Sequence, residues 1–221
     1  MRTPATICVI AAAVVVGCGK PQLSKSDASP LGTVVSSLVQ PGDLVFRSGK
    51  GRWSAYFRDM SLRERRFSHV GVVATNESGA IVVVHASADD TTGIGAVTAE
   101  PVITFLGVHD DVAVFRVLAE QKSRQAIAAV CISKIGTRFD ARFDLSDSKE
   151  LYCTELVRLA VNSTMGKQLV STTTVKGREI VAVDDCYLGT WTDKVYDSRE
   201  NAEPSGGEVR LSAARPAAPH R

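Results

Sequence analysis

One short segment, Glu150–Val157, reads ELYCTELV and combines a cysteine with the apolar spacing of a buried helix. Its apolar residues and those that follow recur at helical intervals, which predicts one buried face made of Leu156, Val157, Ala160 and Val161. Upstream, Asp147 with Glu150 three residues later is a pattern typical of a helix start. Cys153 is therefore expected in the first turn or two, where the positive end of the helix dipole favours a thiolate. By itself, however, a lone cysteine in a helix is more often a small buried hydrophobe.

Two histidines earlier in the chain lie in a predicted β-hairpin and change that interpretation. Residues 68–74 and 80–86 are rich in β-branched residues, and residues 75–79 have the composition of a turn. A loop with an odd number of residues puts His69 and His85 on the same face, and a loop of five places them directly opposite, with Cβ atoms about 5 Å apart. A loop of two or four residues sends them to opposite faces. A thiol with an imidazole base nearby can act as a nucleophile.

Composition narrows the class of protein. The chain has 221 residues, enough for one domain with tails, and its 44% hydrophobic and 23% charged residues are ordinary for a globular protein. A net charge of +2 argues against a nucleic-acid partner. The sequence has no CxxC or HExxH spacing, so neither a metal nor another cofactor is predicted.

The N-terminus is interpreted as an export signal followed by a lipid attachment site. Residues 1–17 contain a short positive start and an apolar run too short to span a bilayer. The run ends at Val15-Val16-Gly17-Cys18, which resembles a bacterial lipobox and predicts a lipid on Cys18. The alternative is a plain secretory signal cut near Gly17. Gly19, by resemblance to known sorting behaviour, indicates the outer membrane, with the protein facing the periplasm.

The remaining chain is divided by composition. Residues 18–40 are predicted to be a flexible tether, residues 41–196 a folded domain, and residues 197–221 a disordered tail. Further strands are predicted at 44–46, 111–117 and 179–183, and a helix at 121–135. Residues 48–66 are interpreted as irregular. Their basic cluster is a solvated loop or a rim that attracts an anion, and consists of Arg58, Arg63, Arg65 and Arg66.

The order of the motifs along the chain carries a family resemblance. They are GDLVF at 42–46, SHVGVV at 68–73, VVHA at 83–86, FDARFD at 139–144 and YCTELV at 152–157. Over about residues 41–190 this resembles the YaeF/YiiX-type, circularly permuted NlpC-like cysteine hydrolases. The resemblance implies an α+β, permuted papain-like fold, in which an antiparallel β-sheet or barrel packs against the helix that carries the cysteine.

The resemblance also implies roles for individual residues. By position, Cys153 matches the nucleophile, His69 the general base, and His85 the third polar residue that orients the base. Many relatives carry glutamate at that third position, whereas histidine is closer to NlpC enzymes and lecithin:retinol acyltransferase. Expected substrate contacts are Tyr152, Phe139 and Arg66, of which Phe139 is the nearest match to a substrate-facing tyrosine of NlpC enzymes.

Three functions compete at this point. The first is a cysteine amidase or peptidase that cleaves peptidoglycan stem peptides through an acyl-enzyme. The second is a lipid acyl hydrolase or acyltransferase with the same triad, and the third a lipoprotein that binds a ligand in the same cleft without catalysis. The expected protein is a monomer in which His69, His85 and Cys153 converge. Cys153 is expected to be its only reactive thiol, and we favour free cysteines over a disulfide between Cys131 and Cys186.

Overall fold

The computed structural model describes residues 30–201, with the exception of positions 108, 110, 147 and 148. The predicted signal peptide and the lipobox with Cys18 lie outside the described residues, as do the chain from position 202 onward and the predicted helix cap Asp147. The described helices are α1 (Pro30–Leu38), α2 (Arg52–Met60), α3 (Val102–Leu106), α4 (Gln121–Ser133), α5 (Cys153–Met165) and α6 (Ser198–Asn201). The described strands are β1 (Leu44–Arg47), β2 (His69–Thr75), β3 (Ile81–Ala88), β4 (Gly95–Pro101), β5 (Val112–Val117), β6 (Thr173–Val175), β7 (Arg178–Ile180) and β8 (Thr192–Asp197).

A six-stranded antiparallel sheet forms the centre of the fold, with the strand order β4-β3-β2-β1-β5-β8. The sheet ends at β4 and β8 and is not closed into a barrel, and β6 and β7 form a separate hairpin. The two histidine strands are neighbours inside the sheet. The α+β prediction, with an antiparallel sheet packed against the cysteine helix, is confirmed.

The two faces of the sheet carry different helices because side chains alternate along each strand. Val70 and Val72 of β2 belong to the core that the sheet forms with α4 and α5. Val73 of β2 and Val83 of β3 belong to a second core under α1 and α3, which also contains Phe105. By the same alternation, His69 lies on the α3 face of β2.

The folded part of the chain is longer than predicted at both ends. Residues 30–38 form α1 instead of a flexible tether, because Val35 is fully buried in the core under α1 and α3. At the other end, Asp197 closes β8 and α6 follows it, so the described structure continues to Asn201. Residues 48–66 are not irregular throughout, since α2 occupies part of that segment and buries Phe57.

Helix α5 begins at Cys153, which places the cysteine in the first turn as predicted. Tyr152 is the N-cap residue, and its backbone N–H donates to Glu155 Oε2 at 3.4 Å. The helix therefore starts later than the Asp147–Glu150 pattern indicated. Its predicted apolar stripe is confirmed, since Leu156, Val157, Ala160 and Val161 are all at most 1% exposed.

Candidate active site

The histidine hairpin has the geometry that an odd loop predicts. Thr75 pairs with Ile81, so five residues form the loop and both histidines face the same side of the sheet. The two histidines are not directly opposite each other. Val72 pairs with Val84, and in this register His85 lies diagonally across from His69 on the neighbouring strand. His69 Nε2 nevertheless lies 2.8 Å from His85 Nδ1, which is hydrogen-bond distance.

Gly71 makes room for this contact. It stands on β2 where a Cβ atom would lie 2.3 Å from Val83 Cγ1 and 3.2 Å from His85 Cβ. Both distances are shorter than ordinary contacts between carbon atoms. Only a glycine at position 71 therefore lets β3 lie close enough to β2 for His85 to contact His69.

Phe105 of α3 forms the apolar side of the histidine pair. Its ring centroid is 5.6 Å from that of His69, nearly parallel to it, and 5.0 Å from that of His85. Burial lowers the pKa of His69 well below its usual range, and the charges of His85, Arg47 and His109 act in the same direction. His69 is therefore a neutral imidazole at neutral pH, which is the form a general base requires.

Cys153 belongs to the core on the α5 side of the sheet and lies near the start of β2. The backbone N–H groups of Val70, Thr154 and Cys153 itself interact with its sulfur, and Val70 is the residue that follows His69. Among the residues that the structure describes, no hydrogen bond joins the sulfur to the His69 ring. In structures without substrate such contacts are often long and tighten in the complex.

The thiol of Cys153 is protonated at neutral pH. Burial raises its pKa to about 12, since the side chain is 1% exposed, and this outweighs the backbone N–H groups and the charge of Arg47, which act to lower it. The helix start favours the thiolate, as expected, but burial has the larger effect on the pKa. Proton transfer to a base has to accompany attack.

Arg47 and Glu100 are two charged residues of the site that the sequence did not reveal. Arg47 pairs with His69 across β1 and β2, and its guanidinium lies 4.5 Å from the centre of the Phe105 ring. Glu100 on β4 places Oε1 3.0 Å from His85 Nε2. Neither residue belongs to a recognisable motif. The only available signal was strand alternation, which puts Arg47 on the same face as Val45.

A pocket of about 390 Å³ opens beside His69. Its aromatic wall contains Phe139 together with Trp53 and Phe57 of α2, and Trp53 packs against Phe139 with ring centroids 5.9 Å apart. Phe139 therefore lies where a substrate contact was expected. Cys153 is not among the residues that line this pocket.

The pocket also carries charges of both signs. Its basic side chains are those of Arg47 and Lys50, and its acidic ones those of Asp89 and Asp90. The pocket is thus a mixed polar and aromatic surface. Among the described residues, no cluster of three or more histidine, cysteine or acidic side chains could hold a metal ion.

Tyr152 does not lie where a substrate contact was expected. It is 1% exposed, its hydroxyl accepts a hydrogen bond from the Val181 N–H at 2.8 Å, and its ring packs 5.2 Å from that of Phe143. The residue beside the nucleophile belongs to the core because the N-cap of a buried helix is itself buried. The prediction that Tyr152 contacts substrate is wrong.

Arg66 is likewise a structural residue. Its guanidinium donates to both oxygens of Asp197, at 2.7 and 2.6 Å, and to Asp111 at 2.9 Å. The side chain is only 9% exposed and ties the start of β2 to β8 and to the β5 end of the sheet. With its donors committed to two carboxylates, Arg66 does not form a rim for substrate, and that prediction is wrong.

Cys131 and Cys186 are free thiols, and both are fully buried. Burial raises the pKa of Cys131 to about 12 and that of Cys186 well above its usual range. Neither thiol has the stabilising N–H groups of Val70 and Thr154 that surround the Cys153 sulfur.

Known proteins share the fold of this chain. A crystal structure described as the metalloprotein YiiX from Escherichia coli O157:H7 has a similar fold, with a TM-score of 0.60 over 72% of this chain and 98% of that chain, at 16% identity. No curated protein shows a significant sequence match. The family described as permuted papain-like amidases of the YaeF/YiiX, C92 type matches residues 38–201. The chain therefore belongs to this family of permuted papain-like amidases and is a cysteine hydrolase that acts on amide bonds.

Proposed function

We propose that this protein is an exported, membrane-tethered hydrolase that cleaves an amide bond of a peptidoglycan stem peptide through Cys153, His69 and His85. The observation that carries the proposal is the 2.8 Å contact between His69 Nε2 and His85 Nδ1, on neighbouring strands beside the start of the cysteine helix. One ring nitrogen of the base is thereby held, and the other, Nδ1, is left for the thiol.

The reaction follows from these groups. His69 Nδ1 takes the thiol proton as the sulfur attacks the carbonyl carbon, and the N–H of Cys153 supports the developing oxyanion. His69 then protonates the leaving amine, and a thioester remains on Cys153. Water attacks the thioester with His69 as base, which releases a carboxylic acid and restores the thiol.

The charges of the pocket favour a peptide over a lipid. A lipid acyl chain is best bound by a continuous apolar surface, because buried charges without partners are costly. The pocket beside His69 instead presents Arg47 and Lys50 together with Asp89 and Asp90. Stem peptides carry free carboxylates and amines, which match both signs. The aromatic wall, with Trp53, is the feature that supports a lipid acyl hydrolase or acyltransferase as the second candidate.

The proposed location is the outer membrane, with a lipid on Cys18 and the domain facing the periplasm as a monomer. Its support is the lipobox-like sequence Val15-Val16-Gly17-Cys18. Of the helices in the described part of the chain, none has the length and apolar character needed to cross a bilayer.

The test is to incubate the purified mature protein with muropeptides and, separately, with phospholipid micelles, and to identify the products by mass. We expect amide cleavage of muropeptides by the wild type and none by Cys153→Ala or His69→Ala. Cys131→Ala is the matched control, because it removes a buried thiol outside the site. Release of fatty acid would favour the second candidate. Binding without any cleavage would contradict both and favour the ligand-binding lipoprotein.

A further inference from the structure

Glu100 extends the histidine pair by one more group. Its Oε1 lies 3.0 Å from His85 Nε2, and the other nitrogen of that ring lies 2.8 Å from His69 Nε2. The register explains the contact: Glu100 pairs with Val83 and Thr98 pairs with His85, so Glu100 is the diagonal neighbour of His85 on the same face. Strands β4, β3 and β2 thus contribute one member each to a continuous row.

The order of donors along this row is fixed by chemistry. An ionised carboxylate only accepts hydrogen bonds, and a neutral imidazole donates with one nitrogen and accepts with the other. Glu100 is ionised at neutral pH, since the close contact with His85 lowers its pKa against the opposing effect of burial. In a neutral His85 ring, a proton that faces Glu100 is on Nε2 and the lone pair is on Nδ1. His69 must donate from Nε2, which leaves the lone pair of His69 on Nδ1.

We propose that Glu100 is a positioning residue that sets the tautomer of His85 and, through it, that of His69, so that His69 Nδ1 is the basic atom of the site. This inference rests on the proposed role of His69 as base. Glu100 does not contact the reacting atoms, and no proton leaves the row. Its negative charge compensates the positive charge that His69 acquires when it takes the proton of Cys153.

A simpler role for Glu100 is that of a counter-ion for Arg47. Arg47 and Glu100 do attract each other, since the charge of Glu100 raises the pKa of Arg47 and the charge of Arg47 lowers that of Glu100. The guanidinium of Arg47, however, donates to the Phe105 carbonyl oxygen and lies over the Phe105 ring, while the carboxylate of Glu100 is at 3.0 Å from His85. The short contact of Glu100 is therefore with the histidine row.

The first test reads the tautomers directly. The sequence has four histidines, so nitrogen-15 labelling of histidine gives a spectrum in which His69 and His85 are assigned by single replacement. At neutral pH we expect His85 and His69 of the wild type to be protonated at Nε2 and not at Nδ1. In Glu100→Gln the amide can donate as well as accept, so we expect a second tautomer of both rings. Glu77→Gln, an exposed turn residue, should leave the spectrum unchanged.

The second test is the pH profile of kcat/KM with a cleaved muropeptide. The groups whose charges act on His69 are His85, Arg47 and His109; Glu100 contacts His85, and Cys153 interacts with Arg47. Loss of the negative charge of Glu100 makes protonated His69 less stable. Glu100→Gln should therefore move the acid limb to lower pH, while a mixed tautomer lowers the plateau by at least about tenfold. Glu77→Gln should do neither.

The outcomes are distinct. Protonation of His85 at Nδ1 in the wild type, or identical tautomers in the wild type and Glu100→Gln, would overturn the assignment of Glu100. An activity loss without a shift of the acid limb would also overturn it, because a purely structural defect behaves in that way. A wild type that cleaves nothing would contradict the proposed hydrolase, and the spectrum would still decide the role of Glu100.

Discussion

Burial keeps the side chains of Cys153 and His69, the two residues proposed to react, uncharged at rest. The pKa of Cys153 is raised to about 12 and that of His69 is lowered well below its usual range, in both cases chiefly because a charge is poorly solvated there. The resting state is therefore a neutral thiol and imidazole, and not an ion pair. In the proposed reaction, a substrate that brings the two groups together would start the proton transfer.

This state predicts a characteristic pH dependence of thiol alkylation. With iodoacetamide on the native protein, we expect slow labelling of Cys153 at pH 7 and a rate that keeps rising up to pH 10, because the thiolate fraction grows with pH. Cys153 should still react before Cys131 and Cys186, whose sulfurs lack its N–H partners. A fast rate that is constant from pH 6 to 9 would indicate a preformed thiolate and contradict the neutral state.

The variant Arg47→Met tests how the charge of Arg47 affects the pH dependence of thiol alkylation. The positive charge of Arg47 lowers the pKa of Cys153 and that of His69, so its removal should raise both. The alkylation curve should move to higher pH relative to the wild type. Lys50→Met removes an exposed charge of the same pocket and should shift it much less, since solvent screens that charge. Equal shifts in both variants would mean that net charge, and not position, matters.

The sequence identified some residues of the candidate site and missed others, for a physical reason. Cys153, His69 and His85 stand in motifs whose spacing is tied to helix and strand geometry. Arg47 and Glu100 do not, and become members of the site only through the pairing of β1 with β2 and of β4 with β3. Tyr152 and Arg66 were predicted wrongly because sequence proximity to the site does not show whether a side chain points into the core or into solvent.

Among the elements, the hairpin of β2 and β3 depends on Gly71. A methyl group at Gly71 would meet Val83 at 2.3 Å and His85 Cβ at 3.2 Å. Gly71→Ala should push β3 away and lengthen the His69–His85 contact, at a cost of about 1–3 kcal/mol in the free energy of unfolding. We expect loss of amide cleavage together with changed histidine nitrogen signals.

The control for this variant is Gly79→Asn in the turn of the same hairpin. Gly79 has open space around it and a positive φ that asparagine tolerates. Its substitution should leave cleavage and the histidine signals as in the wild type. If Gly71→Ala were as active as Gly79→Asn, the close packing under His85 would not be needed for function.

A second prediction at the scale of elements concerns the junction of β2, β5 and β8. Arg66→Ala removes one partner of a buried ion pair and leaves Asp197 without its bidentate donor. We expect a loss of about 3–5 kcal/mol in the free energy of unfolding, measured with urea, and an unchanged KM. Arg65→Ala, at an exposed neighbour, should change neither quantity. A raised KM with unchanged stability would restore Arg66 as a substrate contact.

The elements that the sequence predicted are those with strong local patterns. They are the strands near 44–46, 68–74, 80–86 and 111–117 and the helices at 121–135 and 151 onward, all found within a few residues. Strand β4 was missed because GAVTAEP has low β-propensity and becomes a strand by pairing with β3. Helix α2 was missed because its nine residues are too few for a clear helical period.

For the whole molecule, the prediction with the largest cellular effect is lipidation. In a bacterial host, Cys18→Ser should move the protein from the membrane fraction to the soluble fraction, because a lipid on Cys18 would be its anchor. Muropeptide cleavage by the purified variant should not change, since the residues that form the site all lie elsewhere in the chain, within the described part of the structure. Recovery of the wild type in the soluble fraction would contradict the lipobox interpretation.

The family and the class of fold could be predicted from motif order, whereas the limits of the folded unit could not. The helix Pro30–Leu38 lies in a segment with a tether-like composition and is held by one apolar stripe with Val35 at its centre. Such an element is stabilised by tertiary packing and not by its own propensity. Composition alone therefore set the boundary too late in the chain.

The strand order has a consequence for the timing of activity during biogenesis. Strands β1, β2 and β3 are early in the chain and pair with each other in sequence order, so the histidine hairpin can form from local contacts as the polypeptide emerges. Helix α5 comes much later, and β8, which carries Asp197 to Arg66, comes last. A chain synthesised only as far as β3 would contain His69, the proposed base, but not Cys153, the proposed nucleophile. A chain synthesised as far as α5 would contain both but would still lack β8, the edge strand of the sheet. We expect the newly made protein to cleave no amide bond until β8 has been synthesised and has paired with β5.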